Sequence, residues 1–196
     1  MHRNQTKNLV QIGIDEVGRG ALAGPVALAA VLARGRMRWS HPKFGRIKDS
    51  KKLTPQRREE WFGYLTCHSL LKWSVGRAGP KTIDRINISR AANLVALRLV
   101  KRIAPNYRKS FVWLDGGLSL PRGIAHISLI KGDEHKPIIA AASIIAKVLR
   151  DRYMRRLARL FPNYGFEIHK GYGTRFHKRQ IVRHGPSAVH RKTFLR

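Results

Sequence analysis

The stretch VQIGIDEVGRGALAGPVALAAVL, residues 10–32, decides the fold. Val10, Ile12 and Ile14 fall on one face of an alternating run, which predicts a β-strand. PVALAAVLA (25–33) is almost wholly apolar, as in a strand buried on both faces or a short buried helix. Only a short glycine-rich segment separates the two runs, so an antiparallel pair is the expected arrangement. Asp15 and Glu16 stand side by side at the end of the first run and lead directly into Gly18-Arg19-Gly20. The chain carries 40 Lys+Arg against 11 Asp+Glu, so two adjacent acids at the edge of a core strand require a reason.

Outward from this pair, residues 34–53 read as a basic loop, and Thr54-Pro55 reads as the cap and first position of a helix running to about Leu70. LLKWSVGRA (70–78) alternates as a strand. Residues 81 to about 103 suit one helix or two in succession, stopped by Pro105. SFVWLDG (110–116) and IAHISLIKGD (124–133) read as strands that each end in an acid. A long helix starts near Pro137 and ends before Pro162, with a small-residue face at Ala140–Ala142, Ser143 and Ala146. A loop and a last helix capped by Thr174 follow. Strands first and then helix–strand alternation predict an α/β or α+β domain with a mixed sheet.

At 196 residues the chain suits one domain with a real core, and 43% hydrophobic content with four Trp argues against disorder. The formal net charge of +29 points first to a polyanionic partner, nucleic acid. An anionic membrane surface is the second candidate, but no long amphipathic basic helix or lipidation signal stands in the sequence. No apolar stretch approaches the roughly 18 residues of a span, so no membrane partner is expected. The first residues, MHRNQTKNLVQ, lack the apolar core of a signal peptide. Cys67 is the only cysteine, which excludes an intrachain disulfide and fits a reducing, cytoplasmic setting; its default role is a buried, inert thiol.

Asp15, Asp115 and Asp133 each close an apolar run. If the strands of Asp15 and Asp115 are adjacent and parallel, their C-terminal ends coincide where open α/β sheets place their sites. Clustered carboxylates raise one another's pKa, and a divalent cation relieves that repulsion. Oxygen donors alone suit Mg²⁺ or Mn²⁺ rather than zinc. A two-metal carboxylate site in a basic shell is suited to phosphodiester hydrolysis. On a regular strand, however, Asp15 and Glu16 point to opposite faces.

The glycines of Gly18-Arg19-Gly20 either make a turn or let backbone N–H groups approach a phosphate or sugar. Tyr172, between glycines in HKGYG, either packs or meets a base or sugar. Asp49-Ser50-Lys51-Lys52 reads equally as a phosphate-binding turn or a solvated loop. Asp151 is expected to pair with Lys147 along the helix. His169, His177, His184 and His190 lack metal-ligand spacing and are expected to face solvent or phosphate. A non-catalytic basic RNA-binding protein would explain the charge but not the acids at strand ends.

Together, GIDEVGRGALAGPV, DSKKLT, WLDGG, KGDEHKPIIAAASIIAKVLRD, FPNYGFEIHKGYGT and HRKTF resemble, in order, the type 2 ribonuclease H family, specifically ribonuclease HII. The resemblance runs from residue 12 to about 194. It implies one RNase H-like catalytic domain over 1–196, with a mixed central sheet flanked by helices and a helical C-terminal portion from about 162. It also implies an endonuclease that cuts the RNA strand of RNA–DNA hybrids, and cuts 5′ to single ribonucleotides in duplex DNA. The ends left are 3′-hydroxyl and 5′-phosphate.

By motif, Asp15, Glu16, Asp115 and Asp133 are similar to the family's catalytic, metal-binding carboxylates, served by Mn²⁺ or Mg²⁺. Gly18, Arg19, Gly20 and Tyr172 are similar to the group that reads the DNA–RNA junction and the ribose 2′-hydroxyl, the atom that separates RNA from DNA. Val17 and Ala21 stand where Ala and Pro are common in the family. Gly-Arg-Gly and a first strand starting near residue 9 favour HII over the sister family HIII. No convincing sliding-clamp motif precedes Arg196, which makes a clamp partner doubtful, and nothing demands more than a monomer.

Overall fold

The first and second apolar runs are strands β1 (Val10–Val17) and β2 (Val26–Ala33), paired antiparallel with Asp15 opposite Ala29. The structure is a computed structural model that describes residues 10–35 and 37–195. The expected strand start near residue 9 and the leader-free N-terminus fall outside the described residues. The segment expected to be loop carries a short antiparallel pair, β3 (Ser40–His41) with β4 (Gly45–Arg46). Strand β5 (Leu71–Ala78) pairs antiparallel with β2. On the other side, β6 (Ser110–Asp115) pairs parallel with β1, and β7 (His126–Leu129) parallel with β6. The sheet order is therefore β5-β2-β1-β6-β7, a mixed sheet.

Helices α1 (Pro55–Cys67), α2 (Pro80–Ile86) and α3 (Ile88–Ile103) precede β6. After β7 come α4 (Gly132–His135), α5 (Pro137–Leu160), α6 (Phe166–His169) and α7 (Arg175–His184). The local signals act as chemistry requires. Thr54 Oγ1 accepts from Arg57 N at 3.2 Å and Thr174 Oγ1 from His177 N at 3.2 Å, capping α1 and α7. The 81–103 segment divides at Asn87, whose φ of 65° breaks the helix while its side chain caps α3 through Arg90 N.

The sheet is covered on both faces, which explains the unbroken apolar run in β2. Ile12, Ile14, Leu28 and Ala30 pack with Val95 and Leu99 of α3. Ala29 and Val31 pack on the other face with Trp61 of α1 and with Ile138, Ala142 and Ile145 of α5. The small residues of α5 let it settle on β1. A Cβ built at Gly13 would lie 2.5 Å from the Ile138 carbonyl oxygen, so nothing larger fits. A third cluster, with Ala23, Met154, Leu157, Tyr164 and Phe166, seats the C-terminal helices against the end of α5.

Two expectations change. The strand expected over 124–133 stops at Leu129, and Asp133 lies in the first turn of α4, entered through Lys131 in the left-handed region (φ 52°, ψ 44°). The apolar pattern of ISLI runs on into Lys-Gly-Asp without marking that turn. Cys67 is exposed rather than buried. It ends α1, off the face on which Trp61 and Leu65 enter the core. Among the described residues, no helix is long and apolar enough to cross a membrane.

Candidate active site

β1 and β6 run parallel with Ile14 opposite Leu114, so Asp15 and Asp115 follow at the same end of adjacent strands. Asp15 is 4% exposed and takes a hydrogen bond from Ser143 of α5. Its Oδ1 also accepts from Glu16 N at 2.7 Å. Asp115 Oδ1 accepts from Gly132 N at 2.7 Å, which ties β6 to the turn that delivers Asp133. The pleat of β1 persists through Val17, so Asp15 turns toward Ser143 of α5. Glu16 turns the other way, to Arg19, which in turn donates to Ser89 of α3 (Arg19 Nη1–Glu16 Oε1 3.1 Å, Nη2–Ser89 Oγ 2.7 Å). Asp115 lies near enough to raise the pKa of both.

The electrostatics are those of a carboxylate cluster short of cations. Burial first, and then the charges of Asp115, Glu16 and Asp133, push the Asp15 carboxyl well above the usual range against the Ser143 hydrogen bond. Burial raises Glu16 despite Arg19. Burial and the neighbouring Asp49 raise Asp133 to about 6, with Lys51 opposing. Asp49 belongs to the cluster although its sequence context left it undecided between turn and loop. It is 5% exposed, hydrogen-bonds Asp133, and caps a short turn at Lys51 N (3.1 Å). Lys51 Nζ stands 3.7 Å from Asp133 Oδ2. The only sequence signal was an acid followed by Ser-Lys-Lys ahead of a capped helix.

Among the described residues, no three Asp, Glu, His or Cys side chains form a finished metal cage. The site offers buried acceptors instead. Glu16 Oε2 and Asp133 Oδ2 are buried without a hydrogen-bond donor, Asp133 Oδ2 having only the longer ion pair to Lys51, a costly state that a closer cation relieves. The clustered Asp15, Glu16, Asp115 and Asp133 offer carboxylate oxygens, so this donor set fits a hard divalent ion. An open depression of about 460 Å³ borders Asp133, lined also by Asp49, Glu134 and the bases Arg46, Lys48 and Lys52. A second, of about 340 Å³, lies between β2, β5 and α5 and holds none of the carboxylates.

The Gly18–Gly20 loop follows β1. Gly18 has φ 87°, and a Cβ there would meet Arg150 Nε at 2.0 Å. The Arg19 side chain is committed to Glu16 and Ser89, while Gly20 is exposed with open space around it. Tyr172 comes back against this loop through a bridge between Ala21 and Tyr172, and Leu22 N and Ala23 N donate to Gly171 O. The Tyr172 ring is 37% exposed and lies 5.4 Å over the Arg150 guanidinium. Lys147 and Asp151 form the expected ion pair at 2.9 Å.

Three histidines correct the sequence expectation. His169, His177 and His190 are 8%, 0% and 3% exposed, packed on Phe166 rather than turned to solvent; His184 is exposed. Burial lowers all three, His177 to about 4. Each finds hydrogen-bond partners for a neutral ring: nearby backbone carbonyls for His169 and His177, and each other across the His177–His190 contact. Two arginines, Arg150 and Arg191, are likewise buried behind the Gly18 loop.

Comparison with known proteins agrees with this geometry. A family model described as Ribonuclease HII matches residues 12–196. The ribonuclease HII of Parasynechococcus marenigrum is 42% identical over 185 residues, covering 94% of this chain and 81% of the relative. That of Caldicellulosiruptor saccharolyticus is 42% identical over 188 residues, covering 94% and 86%. Among solved structures, the Archaeoglobus fulgidus RNase HII in its complex with PCNA superposes with TM-score 0.72 at 28% identity, covering 94% of each chain. With a match spanning both strand-end carboxylates, the Gly-Arg-Gly loop and the Tyr172 turn, this chain belongs to the ribonuclease HII family and is a metal-dependent endoribonuclease.

Proposed function

We propose that this enzyme hydrolyses the RNA strand of RNA–DNA hybrids and cuts 5′ to single ribonucleotides embedded in duplex DNA. In this reading Asp15, Glu16, Asp115 and Asp133 hold two divalent ions, Mg²⁺ or Mn²⁺, and the products end in 3′-hydroxyl and 5′-phosphate. The observation that carries it is the set of buried and half-buried, mutually repelling carboxylates at the shared end of β1 and β6 and the adjoining first turn of α4, with Glu16 Oε2 and Asp133 Oδ2 lacking a hydrogen-bond donor. When bound, divalent ions supply Lewis acidity for the attacking water and for the leaving oxygen.

The chain's own groups account for the rest. Ser143 and the Glu16 N–H fix the Asp15 carboxylate, and the Gly132 N–H fixes that of Asp115. Both are therefore oriented before substrate arrives. Lys51, with its ammonium held charged by Asp49 and Asp133 despite some burial, stands at the rim where a phosphate would enter. In the same reading Gly20 and Tyr172 meet the ribose and its 2′-hydroxyl, and their exposure supports this. The net charge of +29 supplies phosphate attraction over the surface.

In this reading the chain is a single catalytic domain acting as a monomer. A lone, exposed thiol supports a cytoplasmic setting. PCNA association is a property of the archaeal protein, and a duplex carrying RNA is the only partner proposed here. The test is cleavage of a DNA duplex with one internal ribonucleotide in Mg²⁺ or Mn²⁺. The expected result is a single cut on its 5′ side, abolished by chelator and restored by added metal. Binding without metal-dependent cutting contradicts the proposal.

A further inference from the structure

The loop and the tyrosine proposed to read the ribose are held by the same short C-terminal segment. Arg191 is fully buried, and its guanidinium spends its donors on backbone: Nη2 to Gly18 O at 2.7 Å, Nη1 to Arg19 O at 2.7 Å and Nε to Gly24 O at 3.0 Å. These bonds hold the Gly18 and Arg19 carbonyls, and that of Gly24 beyond the loop, turned inward on Arg191. The adjacent residue, His190, serves the other half. His177 Nδ1 faces the Tyr172 carbonyl at 2.9 Å, so that nitrogen carries the proton. Neutral His177 then accepts at Nε2, and His190 Nε2 must be the donor across their 3.0 Å contact.

His190 Nδ1 is left as an acceptor, and it meets Ser187 N at 2.9 Å and Ser187 Oγ at 2.8 Å, both able to donate. The chain Ser187 → His190 → His177 → Tyr172 C=O thus has a single consistent direction, and every ring in it is neutral. Backbone bonds bind the same pieces: Arg191 N to Leu22 O at 2.8 Å and Gly24 N to Val189 O at 2.8 Å. Beyond them, Asp84 of α2 takes Lys192 N, Thr193 N and Thr193 Oγ1, pinning the segment from outside.

We infer that His190-Arg191, with His177, forms a clamp that sets the distance and angle between the Gly18–Gly20 loop and Tyr172, and so determines selectivity for a single embedded ribonucleotide. These are positioning residues, and the inference rests on the proposed reading of the ribose by that loop and Tyr172. A one-ribose substrate depends on this geometry most, since it offers the enzyme no neighbouring RNA to engage. An uninterrupted hybrid presents a ribose in every register and tolerates a displaced reader.

The experiment measures kcat and KM for Arg191→Lys, His177→Leu and His177→Asn on a single-ribonucleotide duplex and on an uninterrupted RNA–DNA hybrid. Arg191→Lys keeps the charge but loses the three-way fork, and His177→Leu removes the donor to Tyr172 O. Each is expected to lower the ratio of kcat/KM, single ribonucleotide over hybrid, by about tenfold, through kcat rather than KM. His177→Asn places an amide N–H near the Nδ1 position and should restore the ratio to within about threefold of the parent.

An unmoved ratio in folded Arg191→Lys and His177→Leu, or an equal fall in His177→Asn, overturns the clamp. If Arg191→Lys does not fold, Asp84→Ala carries the same test from a half-buried position. A fall in its ratio of about threefold supports the clamp, and an unchanged ratio counts against it. Tyr172→Ala separates the two levels. If it leaves the ratio unchanged, the ribose reading itself fails; if it alone moves the ratio, only the clamp fails.

Discussion

Asp133 ties the chemistry to pH. Burial and Asp49 hold its carboxyl protonated up to about 6, whereas the unfolded chain loses that proton near the ordinary aspartate value of 3.8. In metal-free protein, this residue's contribution favours the fold below that range and is lost as pH rises through about 6. A divalent ion needs the carboxylate, so the thermal stabilisation given by Mg²⁺ or Mn²⁺ should be larger at about pH 7.5 than at about pH 5.5. Equal metal-induced shifts in Tm at both pH values would argue that Asp133 takes no part in binding.

The buried His177 has the opposite sign. It stays neutral in the fold to about pH 4, while the unfolded chain takes up a proton near the ordinary histidine value of 6.5. Its contribution to stability is present above the unfolded value and fades as pH falls toward the folded one. The Tm of His177→Asn should therefore decline less steeply than the parent's below about pH 6.5. A parallel decline would contradict the assignment. Tyr172→Phe, losing only the hydroxyl, should slow cleavage at a single ribonucleotide by about tenfold, and an unchanged rate would leave Tyr172 a packing residue.

The strand acids were legible at this scale because period two places Asp15 and Asp115 at the ends of their runs. Asp49 and the histidines were not. Asp49 takes its role from Asp133, far along the chain. The histidines take theirs from the irregular turns that aim the nearby Tyr164, Tyr172 and Ser187 groups at them, and from the His177–His190 contact, none of which a periodic pattern marks.

At the scale of elements, the approach of α5 to β1 places Ser143 against Asp15. Gly13 is the permissive residue, with the Ile138 carbonyl where a side chain would begin. Gly13→Ala should destabilise the protein by about 2–3 kcal/mol in urea unfolding, because backbone cannot yield as a side-chain tip can. A change below about 0.5 kcal/mol would show that α5 can retreat at little cost. The long elements were readable from pattern and caps: Thr54-Pro55, Thr174 and Pro137 all mark helix starts. The turn at Lys131, the hairpin at 40–46 and the short α6 were not. Each is fixed by backbone conformation or tertiary packing rather than by a periodic run.

At the scale of the molecule, a charge of +29 surrounds a small acidic centre, so holding and cutting the polyanion are assigned to different groups. Binding to any duplex should weaken by at least about a hundredfold between roughly 50 and 200 mM salt. The position of the cut, proposed to be set by Tyr172 and the Gly18 loop, should not move with salt. The decisive measurement compares the parent with Asp15→Asn on a DNA duplex carrying one ribonucleotide, recording cleavage rate and equilibrium binding together. The account predicts that Asp15→Asn loses cleavage while binding stays within about threefold. Undiminished turnover by Asp15→Asn would contradict it.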